Sequence, residues 1–246
     1  MSVLRINMWS GPRNVSTALM YSFAERDDTQ VVDEPLYAHY LKMSGAQHPG
    51  RDEVLRAQST NAERVIEDVI LGPCEKPSLF LKQMAHHLLA IDRSFLAKTR
   101  NVLLVRDPRE MLPSLARNVP APRLADTGLA FQTALLRDLD RLRQDVPVLD
   151  ARELLLDPRG VLTELCRRLA IPFQPAMLAW APGARAEDGV WAKHWYSAVH
   201  ASSGFQPYAP KTEPLAPRLK PLLDECMPHY EELCELAIRA PTSAQP

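Results

Sequence analysis

The strongest constraint on the fold is an alternation repeated four or five times, a short apolar run followed by a stretch of helical periodicity. Leu4, Ile6 and Met8 alternate with Arg5, Asn7 and Trp9, a short strand pattern. Further strands are expected at 30–33 (QVVD), 78–83 (SLFLKQ), 101–105 (NVLLV) and 146–149 (VPVL). After Asn101 the run at 101–105 is Val and Leu only, the pattern of a strand buried on both faces. Helical spacing follows each: Val15, Ala18, Leu19, Ser22 and Phe23 first, then residues 36–44 and 61–71, where Asn61 caps and Gly72-Pro73 stops the helix. Asp107-Pro108 and Asp157-Pro158 each place Asp at an N-cap and Pro at the first helical position. Pro113 falls in or near the first turn of the helix that Asp107 opens. A final helix is expected over 215–240. Strands and helices alternating in this way predict an α/β fold with a mainly parallel central sheet and helices on both faces. One domain is expected over 1–240, with a disordered tail at 241–246.

Within this frame, residues 8–19 (MWSGPRNVSTAL) read as a strand end, a tight turn and a helix start. Such a loop points free backbone N–H groups and a positive dipole end outward, an anion site. Arg13 adds a permanent charge with fork geometry suited to phosphate or sulfate, and Ser16 and Thr17 add hydroxyl donors. The same two hydroxyls also suit plain helix capping. The stretch is not a Walker A loop, since it has a single Gly and no Lys. Any anion site must be local, because the net charge of −1 gives no global attraction to nucleic acid or anionic membrane.

Other chemistry-bearing residues also cluster at expected strand ends. Glu34 lies just past the second strand, where open parallel sheets gather ligands. Lys82 sits near the end of the third, with His86 and His87 beyond it. Arg106 ends the fourth, and Ser114 follows eight positions later on the next helix, so both can flank one ligand. Residues 174–214 lack clean periodicity and hold Trp180, Trp191, Trp195, Tyr196 and Phe205, which either line a pocket or form the core under a long loop. Cys74, Cys166, Cys226 and Cys234 lack metal-type spacing. No metal set is expected. Arg5 and Asn7 interrupt the N-terminal apolar residues and no long apolar span follows. No leader or membrane segment is therefore expected, and a cytoplasmic location is the default.

Several of these stretches together resemble the sulfotransferases that use 3′-phosphoadenosine 5′-phosphosulfate (PAPS). Residues 10–19 (SGPRNVSTAL) resemble the family's 5′-phosphosulfate loop, and residues 106–114 (RDPREMLPS) its 3′-phosphate motif, with the same eight-residue Arg-to-Ser spacing. Residues 150–173 resemble its Leu-Leu, Asp-Pro, helix, apolar-Pro-Phe segment, and the turn at 202–205 echoes its cofactor-covering loop. Val15 stands where that loop usually has Gly and Asn14 where it has Ser; a β-branched residue there requires ordinary dihedrals. The resemblance implies a P-loop-like three-layer fold and transfer of a sulfuryl group from PAPS to a hydroxyl or amine of a small-molecule acceptor, without a metal. It implies that Arg13, Asn14, Ser16 and Thr17 hold the phosphosulfate, that Arg106 and Ser114 grip the 3′-phosphate, and that Ser203 closes over the donor. Family members use a Glu or a His as base. VVDEPL resembles the strand-then-Glu-Pro element of the Glu type, which favours Glu34, with His86 next; Lys82 would neutralise charge on the bridging oxygen. Two other readings stay open: a non-catalytic nucleotide-binding protein of this fold, and a P-loop kinase-like phosphotransferase.

Overall fold

A computed structural model describes residues 3–210 and 214–240. Six parallel strands form one sheet: β1 (Leu4–Ser10), β2 (Thr29–Asp33), β3 (Ser78–Met84), β4 (Arg100–Val105), β5 (Val148–Asp150) and β6 (Ala237–Ile238). Their order across the sheet is β2-β3-β1-β4-β5-β6. The chain leaves β1 toward one edge and later returns to β4 on its other side. The loop after β1 therefore opens between β3 and β4, at the switch in strand order where ligands bind in sheets of this type.

Alternate residues of the central strands feed two cores, one on each face. Trp9, Leu81, Leu103 and Val105 pack beneath the helices Pro108–Leu115, Leu129–Arg141 and Lys220–Glu235. Ile6, Met8, Phe80 and Leu104 pack beneath Ser16–Ala24 and Pro158–Arg168, where Phe23 stacks on Phe80 at 4.0 Å. This is the expected three-layer arrangement. The polar members of β1 are buried as well. Asn7 donates to Thr99 Oγ1 (3.1 Å) and Trp9 donates its indole N–H to Asn101 Oδ1 (2.9 Å), so neither leaves an orphaned group in the core.

Three local expectations differ from the structure. Only Ala62–Val65 of the 61–71 helix is α-helical. Residues Ile66–Ile70 widen into a π turn closed by Leu71 N–H on Ile66 O (2.8 Å). The Arg5 guanidinium donates to the freed carbonyls of Ile70, Leu71 and Gly72. Periodicity cannot reveal that partner, which comes from β1. The last helix stops at Glu235, and Ala237–Ile238, expected as its end, instead pair with Val148 and Leu149 on the open edge of β5. Finally, the irregular 174–210 stretch is folded into short turns, Pro175–Leu178, Ala192–Trp195 and Ser197–His200. The expected tail at 241–246 lies outside the described residues. Among the described residues no helix is long and apolar enough to cross a membrane.

Candidate active site

The loop after β1 is shaped by one close approach. A Cβ on Gly11 would lie 2.5 Å from the carbonyl oxygen of Thr127, so only Gly lets β1 end against the Thr127–Gly128 turn. Two residues later the chain takes its left-handed step at Arg13, with φ 55°. Val15 keeps an ordinary φ of −86° at the N-cap of the helix Ser16–Ala24. The β-branched residue thus sits where it costs nothing, and the strained position falls on the cation. Asn14 ties the loop down: its side chain donates to Leu104 O (3.1 Å) and accepts from Val15 N–H (2.8 Å). No side chain caps the first turn of Ser16–Ala24, so capping is not what Ser16 and Thr17 do; both line the cavity in front of the loop.

Two guanidinium groups meet here. Arg13 Nε donates to Ser114 Oγ (2.8 Å), and Arg106 Nη1 donates to Arg13 O (3.1 Å). Burial, then the charges of Arg106 and Arg117, hold the Arg13 pKa below its ordinary value. Glu110, one helical turn after Arg106, pairs with it at 3.1 Å and accepts from Tyr208 O–H at 2.6 Å. Like charges brought together beside uncapped helix N–H groups suit a bound anion, and the donor set fits a phosphate or phosphosulfate.

The second half of the site is a buried network at the ends of β2 and β3. Lys82 is 2 % exposed and directs its ammonium to three oxygens: Asp33 Oδ1 (2.9 Å), Tyr196 O–H (2.6 Å) and Glu34 Oε1. Tyr196 in turn donates to Asp33 Oδ2 (2.7 Å) and accepts from Trp191 Nε1–H (3.0 Å). Gly189 N–H adds a third donor to Asp33 (3.2 Å). Glu34 has φ 38° and is held there by its backbone, which donates to Lys82 O (2.8 Å) and accepts from Gln58 and Tyr37. A non-glycine residue in the left-handed region stores strain that surrounding contacts must hold.

The charges in this network are unequal. Burial raises the Glu34 pKa; Lys82 opposes the shift and Asp33 adds to it. Burial works to lower the Lys82 pKa, but Asp33 and Glu34 outweigh it and hold the ammonium well above its usual range. Asp33 is the carboxylate with more donors, while Glu34 turns Oε2 toward His87 Nε2 at 4.0 Å. His87 is stacked on Tyr37 and Tyr40, with ring centroids 5.0 and 4.8 Å away. Burial, with the neighbouring His48, pushes His86 down to about 3, and burial with His86 lowers His87 well below its ordinary value. Both imidazoles are neutral near pH 7, and the Nδ1 atom of each is buried without a hydrogen-bond partner.

A single cavity of about 360 Å³ joins the two halves. Arg13, Asn14, Ser16, Thr17, Arg106 and Ser114 line it, as do Glu34, Lys82 and His86. Of the catalytic and donor-binding residues expected from sequence, Ser203 alone is not brought to it. Its side chain faces solvent while its carbonyl accepts from Trp180 N–H (3.1 Å), because the chain pairs Gly204 with Ala179. Its neighbours Ser202, Gly204 and Phe205 line the cavity instead. Trp191, Trp195, Tyr196 and Phe205 are wall residues, whereas Trp180 packs edge-on against Tyr21 and Phe205 in the core. Asp33 was legible only as a strand end, and nothing in the sequence paired it with Tyr196, 163 positions away.

Comparison with known proteins adds independent findings. Two curated proteins of Arabidopsis thaliana are similar to the chain. Branched-chain-amino-acid aminotransferase-like protein 2 is 40% identical over 229 residues, covering 93% of this chain and 41% of that protein. Branched-chain-amino-acid aminotransferase-like protein 1 is 43% identical over 210 residues, covering 85% and 37%. The chain thus spans about two-fifths of the length of these relatives. Among solved structures, the sulfotransferase domain from the Synechococcus PCC 7002 olefin synthase has a TM-score of 0.50 at 19% identity, covering 92% of this chain and 95% of that one, a likeness of fold. The family model described as Sulfotransferase domain matches residues 4–237, from the first residue of β1 to the start of β6. On that match, which takes in both halves of the cavity, the chain belongs to the sulfotransferase family.

Proposed function

We propose that this protein transfers a sulfuryl group from PAPS to a hydroxyl or amine of a small-molecule acceptor. The observation that carries the reading is the shared cavity, with an anion-binding loop and paired arginines at one end and a buried carboxylate held by a lysine at the other. PAPS, when bound, supplies an activated sulfuryl group. Arg13, the hydroxyls of Ser16 and Thr17 and the first-turn N–H groups hold the phosphosulfate and offset the charge that grows on its phosphate oxygen. Arg106 and Ser114 grip the 3′-phosphate.

Glu34 is the base. Glu34 would take the proton that the acceptor's hydroxyl or amine gives up as the sulfuryl group passes to it, while Arg13 and the first-turn N–H groups would hold the phosphate that departs with the electron pair of the broken S–O bond. Its raised pKa strengthens it as a base, and the left-handed backbone at Glu34 fixes the carboxylate's position. Lys82, already bonded to Glu34, holds the carboxylate in place. His86 and His87, neutral and apolar in their packing, shape the pocket rather than carry charge.

Calorimetric titration with adenosine 3′,5′-bisphosphate, with 5′-AMP and ATP beside it, tests the donor site. Micromolar binding of the bisphosphate and much weaker binding of 5′-AMP are expected. Arg106→Ala should weaken the bisphosphate about 10- to 100-fold, the range for losing charge-assisted hydrogen bonds. No preference for the bisphosphate would refute the donor assignment.

A further inference from the structure

The cavity has two ends of opposite character. At the loop end stand Arg13 and Arg106. The other end is walled by the rings of Tyr37, Tyr40, His48, Trp191 and Trp195. Burial keeps His48 below its ordinary pKa, and His86 and His87 are lower still, so the imidazoles add no positive charge there at neutral pH. Among the described residues lining that end, Lys82 is the one cation, and its ammonium is already directed to Asp33, Glu34 and Tyr196.

Against that one ammonium stand two wall carboxylates, Glu34 and Asp126, together with Asp33, which pairs with Lys82 without lining this cavity. Asp126 belongs to the turn Leu124–Thr127 and lines the cavity; its charge acts on both Tyr40 and His48, opposed at Tyr40 by that of Arg123. Its side chain is 25% exposed. Its local partner is Arg123, whose backbone N–H it accepts at 2.8 Å. The Arg123 guanidinium is 3.9 Å away and 84% exposed, so water screens most of its charge.

We infer that the acceptor is a small hydroxy compound carrying a cationic nitrogen on an apolar body; this rests on the sulfuryl-transfer reading above. The excess of carboxylates at this end complements a cation, and the Trp195 ring on the wall attracts one through its quadrupole. The apolar body packs on the rings. An ammonium has no free lone pair, so the nucleophile is the hydroxyl, which must lie at Glu34 while the cation lies toward Asp126 and Tyr40. Acceptors bearing phosphate, sulfate or carboxylate meet like charge and are disfavoured.

The test uses matched pairs that differ in the cation: choline against 3,3-dimethyl-1-butanol, and tyramine against 4-propylphenol. Binding of each is measured by calorimetry to the free protein and to the protein saturated with adenosine 3′,5′-bisphosphate, and sulfuryl transfer from PAPS is followed in parallel. The cationic member should bind about tenfold more tightly in at least one pair, the ratio that ~1.4 kcal/mol of charge and cation–π attraction gives. Asp126→Asn should cut that ratio to about threefold or less. Asn at this position still accepts the Arg123 N–H, so the turn keeps its cap. Equal or weaker binding of the cationic member in both pairs, including no binding by any of the four, overturns the inference, as does an unchanged ratio in Asp126→Asn. Failure of the bisphosphate to bind would instead refute the donor site, and the acceptor ratios on the free protein would still be read.

Discussion

Replacing Lys82 with Met removes the charge at the centre of the site while nearly conserving volume. In the native chain the ammonium is buried with Asp33 and Glu34, whose side chains are 1% and 10% exposed. The variant leaves two carboxylates in a site built for one cation. Breaking a buried ion pair from one side costs about 3–5 kcal/mol, since the remaining charge is neither hydrated nor paired. That is a large share of the roughly 5–15 kcal/mol by which a domain is stable. The loss must also depend on pH. Burial and Asp33 raise the Glu34 pKa and Lys82 lowers it, so removing Lys82 raises it further. Above its ordinary value of 4.5 the folded chain then holds a proton that the unfolded chain has released. Stability therefore falls as pH rises from 4.5 through the folded pKa, by up to ~1.4 kcal/mol per pH unit for one proton. Urea denaturation of both proteins at pH 5 and pH 8 should show the larger deficit at pH 8. Adding Glu34→Gln should recover about 1–2 kcal/mol at pH 8, because it removes one of the two stranded charges. A deficit under about 1 kcal/mol, or one equal at both pH values, would refute this account of the network.

Two other substitutions probe the frame around the site. Gly11→Ala sets a methyl 2.5 Å from the Thr127 carbonyl oxygen, a backbone atom that cannot rotate aside, and should cost about 1–3 kcal/mol in thermal unfolding while weakening bisphosphate binding through the displaced loop. An unchanged melting temperature would mean the approach is not tight. His86, pushed by burial from 6.5 down to about 3, binds its proton more readily in the unfolded chain, so its contribution to stability is present above pH 6.5 and is lost as pH falls toward 3. His86→Asn should flatten the slope of stability against pH in that window by up to ~1.4 kcal/mol per pH unit, read from urea curves at pH 4, 5 and 6.5; an unchanged slope would count against a buried neutral imidazole.

The sheet was legible because parallel strands buried on both faces must be apolar runs, and the helices between them must carry one apolar stripe. Five strands, the Asp107 and Asp157 caps and the loop at 10–19 follow from such local patterns. β6 did not, because two residues carry no period, and Ala237–Ile238 become a strand only where β5 offers an open edge. The π turn at Ile66–Ile70 escaped for the same reason, since Arg5 reaches it from β1.

The candidate site divides along the same line. Sequence alone marked Arg13, Glu34, Lys82, Arg106 and Ser114, because each lies near or just past a strand end, or on the helix that follows, and spacing along the chain fixes that position. It also placed an ordinary-φ residue at Val15. Tertiary structure alone decided that Lys82 joins Asp33 to Glu34, that Tyr196 arrives from far along the chain to complete the network, and that Ser203 turns away from the cavity. It also brought Asp126 to the aromatic wall. Local periodicity records which face of an element is buried. It holds no information on which distant side chain meets a buried charge, because that depends on the packing of the whole sheet and on the need to pair every charge taken out of water.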